Sequence, residues 1–194
     1  MTARFVYWMN VSLDLRIEHE DGEHGGGEWL RIGEDLHREF NARAGRMTQL
    51  VQGRIVYDIM ASFWPAARDD TDLPDYLREY GAIWTDAPKV LVSRTRTAAD
   101  HNTRIVGGPD AIADLAALRA SADGDIGVGG ATLATALLEA HLLDELLLFT
   151  HPVVLNTGRP LFDRLERPLQ LDLLEQQSFA RGVVMHRYAV RDAR

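Results

Sequence analysis

Two adjacent glycines stand where an apolar run meets a helical segment in "DIGVGGATLATALLEAHLLDELLLFTHPVVL" (125–155). Glycines at a strand end let backbone N–H groups approach a ligand closely. The first turn of a following helix presents unpaired N–H donors with a partial positive charge, and the two together favour a phosphate. Gly129, Gly130, Ala131, Thr132 and Leu133 are therefore candidate phosphate ligands, with the Thr132 hydroxyl as a further donor. A tight turn alone also accounts for the glycine pair. The segment lacks the third glycine of GxGxxG and the GK[ST] ending of the nucleoside triphosphate loop, so neither of those folds follows from it. Arginines occupy other strand ends of an otherwise acidic chain: Arg54 after "QLVQG", and Arg94 and Arg96 beside Ser93 after "KVLV". Guanidinium forks suit phosphate oxygens, although a single arginine in such a place also serves as a helix cap or a solvated charge. The seven histidines include no H-x-x-x-H or HExxH, and His19 and His24 only flank a glycine-rich stretch, so no metal site is expected. Serine hydrolysis finds no G-x-S-x-G.

Stepping along the chain, short apolar runs alternate with helical periodicity. Phe5 to Val11 is followed by a helix about Gly33 to Ala44, then "MTQLVQG", then a helix about Ile55 to Phe63. "WPAARDDTDLPDY" reads as a loop; "KVLVS" and "TRIVGG" follow, then a helix opened by Pro109 and Asp110, the run "DIGVGG", a helix Thr132 to Ala140 and "DELLLFTHPVVL". Strands apolar on both faces and separated by helices imply a parallel sheet covered on both sides, whose ligand crevice lies beyond the C-terminal strand ends. The tail places Leu169, Leu171 and Leu173 on one face and turns near Ala180 to Gly182 into "VVMHRYAV", an antiparallel hairpin. "HEDGEHGGGEWL" reads as a loop beside a site. Trp8, Trp29, Phe63 and Trp64 either line a planar substrate's pocket or pack the core.

A chain of 194 residues with 46% hydrophobic content suits one domain over 1–194. Its net charge of −8 disfavours nucleic acid and anionic membranes. The absence of cysteine excludes disulfides, thiolate metal sites and a cysteine nucleophile, and fits a reducing, cytoplasmic setting. Nothing near the roughly 20 apolar residues of a membrane span occurs.

"VGGATLATALLEAHLLDELLLFTHPVVLNTGRPLF" resembles the dihydrofolate reductase-like superfamily, and within it the C-terminal reductase domain of the bacterial riboflavin-biosynthesis deaminase/reductase and its stand-alone relatives. "NVSLDL" is similar to the family's "VSLDG", "VQGRIVYD" to its "GRxTYE", "KVLVSRT" to its "VVSRT", and "GVVMHRYAV" to its closing strand. The resemblance implies a three-layer α/β/α sandwich with a mostly parallel central sheet and a C-terminal antiparallel hairpin. It also implies NADP(H) held across the sheet edge: "GGATL" at the pyrophosphate, Gly53 and Arg54 at the phosphates, Ser93 and Arg94 at the 2′-phosphate. Association of such domains through their C-terminal strands, and the aliphatic excess there, imply a homodimer. The sequence departs from the pattern at Val56, where the family has threonine, at Ile55, where a basic residue is common, and at Leu15, where it has glycine.

The expected activity is NADPH-dependent reduction of a small planar heterocycle of pterin, folate or riboflavin-precursor type. The alternative is a non-catalytic protein that binds a nucleotide or folate-like ligand in a degenerate reductase site. Hydride chemistry belongs to the cofactor, which leaves the protein to orient the ring, exclude water and help deliver one proton. Asp14 and Asp35 are the candidate carboxylates; Asp35 stands where dihydrofolate reductases orient a pteridine, and helix capping is its competing role. A zinc deaminase module needs Cys and His ligands, so the chain is expected to supply the reductase step only.

Overall fold

The computed structural model describes residues 3–18, 27–162, 165 and 167–191. In chain order the elements are β1 (Phe5–Ser12), α1 (Glu34–Ala44), β2 (Gln49–Gly53), α2 (Arg54–Ala67), α3 (Asp75–Asp86), β3 (Lys89–Val92), β4 (Thr103–Val106), α4 (Ala111–Ser121), β5 (Ile126–Gly129), α5 (Ala131–Glu139), β6 (Leu143–His151), β7 (Leu171–Ser178) and β8 (Val184–Val190). Eight strands form one sheet in the order β4-β3-β2-β5-β1-β6-β8-β7. Pairs from β4 across to β6 are parallel, and β8 joins β6 and β7 antiparallel.

The strands are apolar on both faces because helices cover both. Val6 packs with Leu36 and Phe40 of α1, and beside it Tyr57 of α2 and Trp84 of α3 pack on Leu91. Phe5, Tyr7 and Val11 point the other way, against Leu115 of α4 and Leu133 and Leu137 of α5. This alternation is the period of two that a pleated strand imposes, and it yields the expected three layers. The sheet is mostly parallel and ends in the expected antiparallel hairpin.

Two segments differ from expectation. The stretch read as a loop from Trp64 hides the end of α2, which runs through Pro65 to Ala67, and leads into α3, which starts directly after Pro74 with Asp75 in its first turn. Proline and aspartate there open a helix rather than end one. The helices touch at Gly81, where a Cβ would lie 2.7 Å from both Arg68 N and Trp64 O. In β7 the register slips between Leu173 and Glu175, so Leu169 and Leu171 pack on the core while Leu173 and Leu174 turn outward, 53% and 51% exposed.

At the N-terminal edge of the parallel strands, charges meet in pairs. Arg4 donates to Asp125 and, from Nη1, to Glu145 at 2.7 Å, while Arg187 Nε donates to Glu145 at 2.5 Å. Asp144 takes the Phe5 N–H at 2.8 Å and pairs with Arg119. Glu145 is 3% exposed, so its two guanidinium partners replace the water it has lost.

Candidate functional site

The opposite edge is open. Where β2, β3, β4 and β5 run into loops and helix starts, a cleft of about 1130 Å³ forms. Gly53, Arg54, Ser93, Arg94, Gly130, Ala131, Thr132 and Leu133 all line it, whereas Gly129 lines a second, adjoining cavity. Gly130 precedes α5 with φ 109° and ψ 127°, a backbone no L side chain adopts readily, so the tight-turn requirement is real at this position. The first residues of α5, Ala131 to Leu133, lie in the same wall directly after this turn. Gly53, before α2, has φ −69°, and a Cβ there would meet nothing closer than Gly129 O at 3.8 Å.

The cationic side chains come from the start of α2 and from the loops after β3 and β6. Arg54 Nη1 donates to Asp58 Oδ2 at 3.3 Å and Arg96 Nη2 to Asp58 Oδ1 at 2.5 Å, so one carboxylate holds two guanidiniums at the cleft mouth. Arg94 makes no hydrogen bond or ion pair among the described residues. The Ser93 Oγ accepts from Thr95 N and Arg96 N at 3.3 and 3.1 Å, which shapes the loop and leaves the hydroxyl proton free to donate. Sequence reasoning missed Arg159, which lines the cleft and donates from Nη2 to Thr132 Oγ1 at 2.5 Å. It also missed Gly107 and Gly108 at the start of α4; a Cβ on Gly107 would sit 2.1 Å from Ser93 O, so glycine lets the β3 and β4 ends touch. The second "GG", in "TRIVGG", was the available signal.

Neither candidate carboxylate lines either cavity. Asp14 accepts from Ser12 Oγ at 2.7 Å and from the N–H groups of Leu155 and Asn156 at 3.0 and 2.8 Å, and these bonds hold its pKa down at about 2. It staples the turn after β1 to the 153–161 loop that carries Arg159, joined also by Ile17 N to Arg159 O at 2.9 Å. Asp35 accepts from Ala180 N at 2.7 Å and ties α1 to the β7–β8 turn. Leu15, in place of the family's glycine, keeps a glycine-like backbone at φ 58°.

The second cavity, about 540 Å³, lies between the sheet and α1, α2 and α3. Trp8, Trp29, Phe63 and Trp64 all line it, together with His37, Phe40 and Tyr80. Met9, Ile17, Val56 and Ile59 line both cavities and form their common wall, so Val56 presents methyls where the family's threonine has a hydroxyl. His37 is pinned by Asn41, whose Nδ2 donates to Tyr76 O and Glu79 Oε2; Asn41 Oδ1 thus accepts from His37 Nδ1 at 3.2 Å, and burial lowers the imidazole pKa. His151, at the end of β6, accepts the Arg31 N–H on Nδ1 at 2.8 Å, so its Nε2 carries the proton and donates to Asn10 Oδ1 at 3.1 Å. Burial takes its pKa down to about 4. His19 and His24 lie outside the described residues, as does most of the glycine-rich loop. Among the described residues no group of three metal-ligating side chains occurs, and no helix is long and apolar enough to cross a membrane.

The model of the RibD C-terminal domain family matches residues 5–185. The uncharacterized protein YyaP of Bacillus subtilis (strain 168) is 29% identical over 182 residues, 93% of this chain and 92% of that one. A Shewanella sp. PV-4 protein provisionally assigned to riboflavin biosynthesis superposes with a TM-score of 0.72 at 24% identity, covering 97% of this chain and 99% of its own. Dihydrofolate reductase from Enterococcus faecalis, complexed with NADP(H), gives a TM-score of 0.64 at 12% identity with 99% of both chains covered. At these identities the structural matches establish the shared fold.

Proposed function

Because the chain belongs to the RibD C-terminal domain family, we propose that it is an NADPH-dependent reductase of a small planar heterocycle of pterin, folate or riboflavin-precursor type. One observation carries the reading: an arginine-lined cleft at two helix N-termini opens, through a thin apolar wall, into an aromatic chamber. The cleft fits NADP(H). Gly53, Arg54 and the residues Gly130 to Leu133 would hold the phosphates, with Gly129 in the turn that precedes them, and Ser93 and Arg94 would hold the 2′-phosphate, where a guanidinium that is unpaired among the described residues gains a dianion. When bound, the cofactor supplies the hydride. Met9, Ile17, Val56 and Ile59 hold the ring face and exclude water at the junction, while the aromatic chamber positions the acceptor. Asp14 and Asp35 lie outside both cavities and hold loop contacts, and His37, neutral with its Nδ1–H given to Asn41, lines the chamber as an acceptor rather than as the source of the proton.

Gly53 provides the test. Its φ suits any L residue and its Cβ position is open, so Gly53→Val leaves the fold intact and sets methyls where a phosphate would lie. NADPH affinity, read by fluorescence titration, is expected to fall at least tenfold with an unchanged unfolding midpoint; equal affinity in the two proteins removes the assignment. A non-catalytic binder would show the same titration without NADPH oxidation on any pterin, pyrimidine or flavin acceptor. The chain is further proposed to be a cytoplasmic homodimer joined through edge strand β7, whose Leu173 and Leu174 stand exposed. Sedimentation equilibrium checks it: a single species at 21.7 kDa refutes the dimer.

A further inference from the structure

The chamber holds a polar group that the fold does not use. Gln52 lies on β2, an interior strand between β3 and β5, and its side chain lines the chamber with Leu50 on the same face. Gln52 is 6% exposed, its side chain makes no hydrogen bond among the described residues, and its Oε1 is shielded and unpaired. Trp29, 9% exposed and lining the same chamber, leaves its Nε1–H shielded and without a partner among the described residues. A buried polar atom without a partner costs stability, and two of those in this structure, an acceptor and a donor, border one cavity large enough to admit a ligand that pairs them. Gly129 borders the same Gln52 side chain: a Cβ there would be 3.1 Å from Val56 Cγ1 and in ordinary contact with Gln52 Cγ at 3.6 Å.

Among the described residues lining the chamber there is no Asp, Glu, Lys or Arg. A charged group placed there meets aromatic faces and a carboxamide, with no counter-ion to replace its hydration. A carboxamide is instead the complement of another amide edge, since it accepts an N–H and donates to a C=O, and a half-turn of its last torsion exchanges the two ends. Resting on the reductase reading of this site, we infer that the acceptor's ring is uncharged within the chamber and is selected by pairing of its cyclic amide or imide edge with the Gln52 carboxamide, with the Trp29 indole N–H as a second donor. Recognition is by a neutral amide in place of a carboxylate, and an anionic substituent drawn into the chamber with the ring weakens binding.

The test is a binding measurement on the full chain without nicotinamide, so its result is independent of whether NADPH binds. Lumichrome, a neutral tricyclic imide, is titrated against tryptophan fluorescence beside 1,3-dimethyllumichrome, in which both imide N–H groups are capped, and pterin is compared with pterin-6-carboxylate. Wild type is expected to favour lumichrome over the dimethyl compound at least tenfold, and pterin over its carboxylate by a similar factor. Gln52→Met, of matching length, should lose the first preference while unfolding at the same temperature as wild type or higher, because it removes an unpaired buried amide. Trp29→Phe keeps the ring and should weaken lumichrome several-fold. The inference is overturned if wild type fails to bind lumichrome or binds both lumichromes alike, if Gln52→Met keeps the preference, if its midpoint falls, or if the carboxylate binds more tightly. Retained discrimination with no NADPH binding would leave this inference standing and remove the reductase reading.

Discussion

The two ends of β6 show opposite solutions to the same burial. Near its start, Glu145 is buried and charged, and Arg4 and Arg187 neutralise it. At its finish, His151 is fully buried and stays neutral, its ring nitrogens matched to one backbone donor and one amide acceptor. The contrast extends across the sheet. Arginines at the N-terminal edge meet carboxylates strand to strand, whereas at the C-terminal edge four arginines line the cleft, two of them sharing Asp58, and among the described lining residues Glu18 is the one acid, in a chain of net charge −8. One edge uses cations to close the sheet strand to strand; at the other, Asp58 gathers two of them and Arg94 has no partner among the described residues.

Four measurements sharpen or break this contrast. Glu145→Leu leaves two guanidiniums facing an apolar group and should cost about 3–4 kcal/mol in urea unfolding, with NADPH affinity of the folded protein unaltered. A smaller loss would mean that Arg4, which is 45% exposed at its side chain, rehydrates easily.

At the other end of β6 the effect depends on pH. His151 binds its proton less readily when folded, pKa about 4 against 6.5, so the unfolded chain takes up more protons between those values. Stability attributable to this residue is therefore complete above 6.5 and declines as pH falls towards 4, by up to about 3 kcal/mol. His151→Gln keeps an acceptor for Arg31 and a donor for Asn10 and should flatten that part of the profile; an unchanged slope would place the acid sensitivity elsewhere, with His37 the next group to examine.

Arg94→Ala should leave stability within about 0.5 kcal/mol, as for an exposed unpaired surface residue. It should weaken NADPH by about 1–3 kcal/mol while leaving NADH alone. An equal loss for both cofactors would move Arg94 from the 2′-phosphate to the pyrophosphate. The smallest effect belongs to Leu15, whose φ of 58° carries a cost that glycine lacks. Leu15→Gly should gain about 1 kcal/mol in thermal or denaturant unfolding.

What the sequence made legible were features with a local signature. Strands apolar on both faces, "VGGAT" at a helix start, and "KVLVSRT" all describe a few consecutive residues, and they led to the cleft lining. Features created by long-range apposition were not legible. Arg159 joins the cleft only because Asp14 staples its loop to the turn after β1, a contact across more than 140 positions. Trp8, Trp29, Phe63 and Trp64 are each unremarkable as core residues, and only their arrangement around one void gives them another use. Gln52 carries no signal at all, since a glutamine in an apolar run is informative only once its hydrogen-bond partners are seen to be missing. The helix α3 was lost to a different ambiguity, because "TDLPDY" is spelled alike in a turn and in a helix start.

The order of strands sets when the site can exist. β1 bonds only to β5 and β6, and β2 meets the rest of the inner sheet only through β5, which begins at residue 126. On the ribosome, the first 125 residues emerge with β1 lacking any partner and with both cavity walls parted, a slot that only the next few residues fill. Such a topology folds late and in one piece, because its closing contacts span most of the sequence and the entropy of closing those loops is lost before they form. A chain that stalls or is cut before β5 is therefore not a weakened version of the protein: β4-β3-β2 can pair, but β1 is left apart and the apolar edge of β2 is open, which makes it a client for chaperones and proteases.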